Sequence, residues 1–155
     1  MIANNWDEAK KQVDDWKLSG QKIVFTNGCF DILHRGHVEY LTEAKACGDK
    51  LVTALNSDCS VRILKGDSRP IQSQEDRAVI LDALESVDLV VIFDQETPAK
   101  IIKSLLPDVL TKGGDYLAET IVGADTVTEN GGEIKVIPFR PGQSTSSIVE
   151  KIIKL

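Results

Sequence analysis

His34 and His37 are the only histidines among 155 residues, and they stand three apart in the run His34-Arg35-Gly36-His37. At a helix start that spacing puts both imidazoles on one face, with Gly36 leaving no side-chain bulk between them. Two imidazoles side by side suit an anion, because each offers an N–H to an oxygen. The neighbouring residues favour the same ligand. Ile23, Val24 and Phe25 form a short apolar run that reads as a buried strand. Thr26, Asn27 and Gly28 break it with turn chemistry, and Gly28 lets the backbone approach a bound group closely. After Phe30 and the histidines, Val38, Leu41 and Ala44 recur at helical spacing. A strand, a glycine turn and a helix N-terminus bring free N–H groups and the positive end of the helix dipole together, which favours phosphate. Without that context the same four residues would read as two surface histidines beside a loop glycine.

Other residues offer chemistry with an ordinary alternative beside it. Lys65 opens the loop Lys65 to Gln72, where a mobile ammonium would neutralise phosphate charge or simply be solvated. Arg77 falls in the first turn of a helix, where a cation opposes the dipole, and that misfit suggests another purpose. Asp115 follows Gly113-Gly114 at a strand end, where a carboxylate accepts from ribose hydroxyls or an amine, or only makes a turn. Lys112 beside it meets a sugar phosphate or ends the strand. Ser144, Thr145 and Ser146 offer hydroxyls and N–H groups at a helix start, as a cap or as a phosphate seat. Asp31 reads as steadying the histidine loop, and Asn27 as doing the same or meeting the sugar phosphate. Arg62 and Arg69 are weaker phosphate candidates or surface charges, and Arg140 is left unassigned. Cys29 resembles a nucleophile only by position. No second histidine-and-acid constellation supports that role, so it reads as a small filler.

These residues need a scaffold, and the hydrophobic pattern supplies one. Trp6, Ala9, Val13 and Trp16 recur at helical spacing, with Asn5 and Glu8 as an N-cap pair, and Ser19-Gly20 ends that helix. A helix from His37 to about Cys47 stops at Gly48. Leu51 to Leu55 is a second strand, ending at Asn56-Ser57-Asp58. Ser73 caps a helix carrying Ile80, Leu81 and Leu84. Leu89 to Phe93 is a third strand, and Thr97-Pro98 places a cap and a proline at the next helix start. Val109 to Thr111 is a fourth strand, and a polar helical stretch precedes the fifth, Ile134 to Phe139. Ile148, Ile152 and Leu155 mark a closing amphipathic helix. Near-continuous apolar strands alternating with helices predict an α/β fold, a Rossmann-like three-layer α/β/α arrangement around a five-stranded parallel sheet. Residues 1–155 read as a single domain, with a helix at 1–20 packed on it. In such sheets ligands bind beyond the carboxyl ends of the strands, at a switch point, and the loops named above follow strands as that rule requires.

Composition sets further bounds. Hydrophobic residues make up 42% and charged residues 27%, which suits a globular chain and argues against disorder. A net charge of −6 argues against a general nucleic-acid binder, so positive charge for an anionic ligand must be gathered locally. Cys29, Cys47 and Cys59 are odd in number and lack zinc-site spacing, which predicts free thiols in a reducing cytoplasm. The acidic N-terminus has no signal-peptide pattern, and no apolar run approaches a membrane span.

The run TNGCFDILHRGH resembles the H-x-G-H signature of the cytidylyltransferase-like nucleotidyltransferases, which join a phosphorylated small molecule to a nucleotide. More narrowly, LNSDCSVRILKGDSRPI, LTKGGDY, NGGEIKVI and GQSTSSI resemble the heptose-1-phosphate adenylyltransferases of lipopolysaccharide synthesis, in that family's order and from about Gly20 to the C-terminus. The resemblance implies transfer of AMP from ATP to D-glycero-D-manno-heptose 1-phosphate, giving ADP-heptose and pyrophosphate. It assigns catalysis to His34, His37, Lys65 and Arg77, the last as a phosphate-binding arginine. It assigns nucleotide binding to Thr26, Asn27, Gly28, Cys29, Phe30, Gly36, Gly113, Asp115, Ser144, Thr145 and Ser146, and the sugar phosphate to Asn27 and Lys112. Ser146 stands where the family often has threonine, which keeps the hydroxyl. Mg2+ is expected with ATP, commonly keeping several waters while it bridges phosphates, and no carboxylate cluster in the sequence suggests a dedicated metal cage. Relatives suggest a homodimer. A cytidylyltransferase acting on glycerol 3-phosphate or a similar small phosphate is the nearest alternative, and a non-catalytic nucleotide-binding module is an alternative of another class. Where relatives carry both steps on one chain, a sugar-kinase domain precedes the transferase domain. Only about 20 residues precede the first strand here, fewer than the roughly 50 a domain needs, so the expectation is a separate heptose kinase.

Overall fold

Apolar runs bounded by turn residues become five strands, β1 (Ile23–Gly28), β2 (Lys50–Asn56), β3 (Leu89–Phe93), β4 (Val109–Gly113) and β5 (Glu133–Ile137). They pair in the order β3-β2-β1-β4-β5, and every pairing is parallel. This is a computed structural model, and it describes residues 1–138, 142 and 144–155. The chain builds outward from β1 to β3, then crosses back to lay β4 on the other side of β1. The switch point therefore lies between the carboxyl ends of β1 and β4, where Gly28 and Gly113 end their strands.

Strand alternation sends successive side chains to opposite faces. Ile23 and Phe25 join one cluster with residues of α1 (Trp6–Leu18), α5 (Ala99–Leu105) and α6 (Ala124–Glu129). Val24 joins the other, with Leu41 and Ala44 of α2 (Arg35–Lys45) and Ala78 and Leu81 of α4 (Gln74–Asp82). The sheet is thus covered on both faces, the three-layer arrangement the pattern predicts. Each fully buried Phe or Leu contributes roughly 1.5–3 kcal/mol relative to exposure, so both layers hold the sheet that carries the site.

The N-terminal helix forms as its pattern predicts. Asn5 accepts the Glu8 N–H at 2.9 Å, Ala9 and Val13 are buried, and Trp6 and Trp16 pack against the same cluster. Residues before it and its first residue protect the β3 edge. Ala3 donates to the Val90 carbonyl, Val90 donates to the Met1 carbonyl, and the Trp6 indole donates to the Ile92 carbonyl at 2.9 Å.

Several boundaries differ from expectation. Thr26, Asn27 and Gly28 are not a turn. They pair with Thr53, Ala54 and Leu55 of β2, because ladder bonds in the middle of a sheet outweigh local turn preference. α2 begins at Arg35 rather than His37, since His34 serves as its N-cap. Pro98, not Thr97, occupies the N-cap of α5, and it makes no side-chain cap bond. The stretch after Asn56 forms a helix the apolar pattern does not announce, α3 (Asp58–Lys65), capped by Ser57, which accepts the Ser60 N–H. Lys65 is therefore the last residue of a helix, and the loop begins at Gly66. The polar stretch after β4 becomes a 3-10 turn at Ala118–Thr120 followed by α6, and α7 (Thr145–Ile153) closes the chain. The expected fifth-strand end, Phe139, lies outside the described residues, as does Arg140.

Candidate functional site

The loop from Gly28 to His34 is held in an uncommon backbone shape. Phe30 has φ 46° and Ile32 φ 54°, left-handed values that cost bulky residues energy unless their surroundings fix them. Gly28 makes room for this, because a Cβ there would come within 2.9 Å of the Phe30 ring. Asp31 supplies the anchor. Only 2% exposed, its carboxylate accepts from the Ile71 N–H at 2.8 Å, the Gln72 N–H at 3.0 Å and Arg69 Nε at 2.7 Å. Burial alone would raise its pKa, but these donors outweigh burial and hold the carboxyl below its ordinary value. Gln72 Oε1 accepts the Ile32 N–H at 3.1 Å, and Thr145 Oγ1 donates to the Asp31 carbonyl at 2.7 Å. Asp31 thus steadies the loop as its position predicts.

The two imidazoles stack with ring centroids 3.9 Å apart and planes 27° apart. His34 Nδ1 accepts the Gly36 N–H at 3.1 Å, and His37 Nδ1 lies 3.4 Å from the His34 N–H that donates to it. A neutral imidazole that accepts at Nδ1 carries its proton on Nε2. Capping the helix therefore fixes the tautomer, and each ring keeps an Nε2–H donor for a ligand. Burial lowers the His34 pKa, and burial, His34 and nearby Lys65 lower that of His37 to about 4. Both rings are neutral donors near pH 7.

The same shift has a consequence for stability. An unfolded His37 takes up its proton near 6.5, the folded one near 4. Between those values the unfolded chain binds more protons, so acid favours unfolding. The melting temperature is expected to fall as pH drops from about 6.5 towards 4, with no His37 contribution above that window. In His37→Gln this part of the slope should flatten. Thermal unfolding followed across pH 4–8 in both proteins checks it.

Beside His37 lies a cleft of about 210 Å3 at the ends of β1 and β4, lined by Gly28, Phe30, His37, Lys65, Lys112, Gly113 and Thr145 among others; His34 stacks on His37 but is not among the lining residues. Lys65 reaches it from the end of α3, Lys112 from β4. Burial lowers the Lys112 pKa, as expected for an ammonium awaiting an anion, and its Nζ lies 5.9 Å from the centre of the Tyr116 ring. Positive charge is thus gathered locally on an acidic chain. Cys29 also lines the cleft, but burial pushes its thiol pKa up, which favours the unreactive protonated form.

Asn27 lines the cleft too. Gly36 lies in the first turn of α2 and acts through its N–H on His34. Five of the expected residues have side chains engaged elsewhere or lie outside the cleft. Thr26 is fully buried, and its hydroxyl pairs with the Tyr40 hydroxyl at 2.7 Å, so its side chain braces the sheet. Arg77, expected to bind phosphate, has a side chain 0% exposed. Its Nη1 donates to the Cys29 and Asn56 carbonyls at 2.6 and 2.8 Å, Nε to the Gln72 carbonyl at 3.0 Å, and Nη2 to Asp58 Oδ1 at 2.7 Å. Those bonds answer the misfit of a cation in a first turn and make Arg77 a positioning residue behind the loop. Ser144 spends its hydroxyl capping α7, where it accepts the Ser147 N–H at 3.1 Å. Asp115 and Ser146 are exposed and outside the residues lining the cleft. Arg69 belongs to the Asp31 ion pair, whereas Arg62 is an exposed residue of α3. Among the described residues no group of three or more His, Cys, Asp or Glu could hold a metal, and no helix is long and apolar enough to cross a membrane.

Tyr40, Gln72 and Tyr116 are site residues that sequence reasoning passes over. Tyr40 lies three residues beyond His37 on the same helix face, and its hydroxyl also meets Thr111 Oγ1 at 3.2 Å. Tyr116 ends the LTKGGDY segment, so its signal was present. Gln72 carries none.

Comparison with known proteins places this geometry. The family model for cytidylyltransferase-like domains matches residues 25–151. The chain is 58% identical over 146 residues to the bifunctional protein HldE of Wolinella succinogenes and 54% identical over 145 residues to that of Azorhizobium caulinodans, covering 94% of this chain each time. It spans about 30% of the length of those relatives. Among solved structures, the lipopolysaccharide core biosynthesis protein of Thermoplasma volcanium is 28% identical with a TM-score of 0.62, over 78% of this chain and 98% of that one. The pantoate-beta-alanine ligase of Francisella tularensis, 16% identical with a TM-score of 0.64 over 100% of this chain and 78% of that one, shares the fold. With its strand, left-handed loop and histidine-capped helix at the β1/β4 switch point, the chain belongs to the cytidylyltransferase-like family.

Proposed function

We propose that the site transfers AMP from ATP to D-glycero-D-manno-heptose 1-phosphate, giving ADP-heptose and pyrophosphate. The observation that carries the chemistry is the pair of neutral, stacked imidazoles whose tautomers are fixed as Nε2–H donors, with His37 lining the same cleft as Lys65 and Lys112. The acceptor's phosphate oxygen attacks the α-phosphorus, a new O–P bond forms, and the bond to the β-phosphate oxygen breaks. An already ionised nucleophile needs no strong base, so catalysis rests on positioning and on stabilising charge at the phosphorus and leaving group. His34 and His37 donate to α-phosphate oxygens, Lys65 neutralises the leaving pyrophosphate, and Lys112 with Asn27 meets the acceptor phosphate. Mg2+ enters as part of the ATP substrate, held by phosphate oxygens and water. The choice of acceptor rests on the HldE relatives. Formation of the sugar phosphate itself is assigned to a kinase reaction outside these 155 residues. The reaction is placed in the cytoplasm, in keeping with free Cys29, Cys47 and Cys59.

Pyrophosphate release tests this. It should be fast with ATP and heptose 1-phosphate of the correct anomer, and absent with heptose 7-phosphate. Preference for CTP and glycerol 3-phosphate would instead favour the cytidylyltransferase reading.

Lys65 provides a narrower test. It is exposed at the end of α3 and followed by Gly66 at φ 91°, so it acts as a point charge on a terminus free to adjust. Lys65→Met is expected to weaken ATP binding and slow turnover together, with the melting temperature nearly unchanged. Calorimetric titration and steady-state kinetics check this, and a large fall in melting temperature would mark Lys65 as structural.

A further inference from the structure

Backbone pairing between β1 and β4 stops early. It joins Val24 to Val109 and Phe25 to Leu110, although β1 runs on to Gly28 and β4 to Gly113. On its other side β1 stays paired with β2 as far as Gly28 and Leu55. Thr26 and Thr111 occupy the first positions past the β1–β4 ladder, and the Tyr40 hydroxyl from α2 bridges them. It lies 2.7 Å from Thr26 Oγ1 and 3.2 Å from Thr111 Oγ1. We propose that Tyr40 is a positioning residue that holds β1, β4 and α2 at the spacing the reaction requires, continuing with side chains a junction that the backbone ladder does not make. The inference rests on the nucleotidyl-transfer reading above and adds what sets the distances within its cleft.

The protons determine how the three hydroxyls are joined. Thr111 Oγ1 donates to the Phe25 carbonyl at 3.2 Å, so its one proton is spent and it accepts from Tyr40. Tyr40 therefore donates to Thr111 and accepts from Thr26. In that order every proton has an acceptor, and the donors run from β1 through α2 to β4 and back to the β1 backbone. Thr26 and Thr111 are 0% exposed and Tyr40 only 7%. A buried hydroxyl that loses its partner is left with the full cost of its desolvation, which keeps such a chain of bonds closed. Thr53 shows that burial alone makes no such tie. It stands in register with Thr26 on β2, equally buried, and its hydroxyl has no partner.

Each tied residue adjoins a group of the cleft. Asn27 follows Thr26, Lys112 follows Thr111, and His37 stands three residues before Tyr40 on α2. Asn27, Lys112, His37 and Tyr40 all line the cleft. Three groups assigned to the reacting phosphates thus take their mutual spacing from one hydroxyl. Positioned transfer is steep in distance, and a misplacement of about 1 Å can cost roughly 10²-fold. Lys112 reports the same spacing without any reaction. Burial lowers its pKa, and a loosened junction admits water to its ammonium.

Tyr40→Phe keeps the ring and removes the hydroxyl. In the full chain, turnover with ATP and heptose 1-phosphate is expected to fall by about 10- to 100-fold. Affinity for a non-hydrolysable ATP analogue, measured by calorimetry, should change less than about threefold. Thr111→Val should reproduce the loss, and Thr111→Ser, which keeps a hydroxyl, should retain most of the turnover. The double variant Tyr40→Phe/Thr111→Val should be no slower than the slower single one, because both break the same link. Thr53→Val removes a hydroxyl without a partner from the same row and should keep wild-type turnover. Followed by NMR, the Lys112 titration should move up towards the ordinary lysine value in Tyr40→Phe and Thr111→Val and stay in place in Thr53→Val, which separates lost spacing from lost stability. Full turnover in Tyr40→Phe, losses that multiply in the double variant, an equal loss in Thr53→Val, an unmoved Lys112 titration, or ATP affinity falling as far as turnover would each overturn the proposal. If Tyr40→Phe does not fold, the contrast between Thr111→Val and Thr111→Ser decides. A wild-type chain that transfers while the variants match it removes this inference alone. A wild-type chain that transfers nucleotide to no phosphate monoester removes the nucleotidyl-transfer reading with it.

Discussion

Replacing His37 by alanine is expected to cut turnover by roughly 10²-fold or more, the scale of losing one preorganised donor to a developing oxyanion, while ATP affinity changes little. The asymmetry follows from where the donors act. A neutral Nε2–H makes a modest bond to ground-state triphosphate and a stronger one as negative charge builds during transfer. Such a loss appears in turnover and in the specificity constant together. His34→Ala should fall similarly in turnover but carries a second cost. His34 Nδ1 caps α2 by accepting the Gly36 N–H, and removing an N-cap costs about 0.5–2 kcal/mol. His34→Ser separates the two roles, since serine can cap the helix but cannot reach out with an Nε2–H. That variant should regain melting temperature and remain slow. Stopped-time assays of product formation, with ATP affinity measured separately, check the set. Near-normal turnover in folded variants of both histidines would sink the mechanism.

Much of this site is local in the chain, which is why it can be read from sequence. His34, Gly36 and His37 lie within one helical turn, so their shared face follows from helix geometry alone. The strand order of apolar runs likewise predicts a parallel sheet, and the third strand, Leu89–Phe93, is observed with its expected bounds. What escapes the sequence is long-range. Asp31 finds its partners about 40 residues away at Arg69, Ile71 and Gln72, and Thr145 reaches back 114 positions to the Asp31 carbonyl. Thr26-Asn27-Gly28 reads as a turn because propensity is local, while the β2 residues it pairs with, Thr53 to Leu55, are not. α3 is hidden for another reason. It is eight residues long, too short for its apolar residues to declare a period.

Arg77 is where local and long-range readings part most sharply, and its removal has the second large expected effect. Its resemblance-derived role predicts that losing it weakens phosphate binding and leaves the fold alone. Its observed surroundings predict the reverse order. The side chain is 0% exposed and its donors meet three backbone carbonyls and the Asp58 carboxylate. Arg77→Met fills similar volume but leaves those carbonyls and a partly buried carboxylate without their donor. Breaking a buried ion pair from one side costs roughly 3–5 kcal/mol. In a chain of this length each kcal/mol moves the melting temperature by about 2–4 °C, so a fall of about 10 °C is expected. The Cys29 carbonyl is one of the released groups, so Phe30 and Ile32 lose part of what holds their left-handed backbone. Turnover should then drop even where the variant is still folded. Arg77→Lys keeps the charge but offers no fork to span the Cys29 and Asn56 carbonyls together, and should fall between. Thermal unfolding with and without ATP decides the matter. An Arg77→Met protein that melts with the wild type yet binds ATP far more weakly would return Arg77 to the phosphate and require this loop to open when the nucleotide enters.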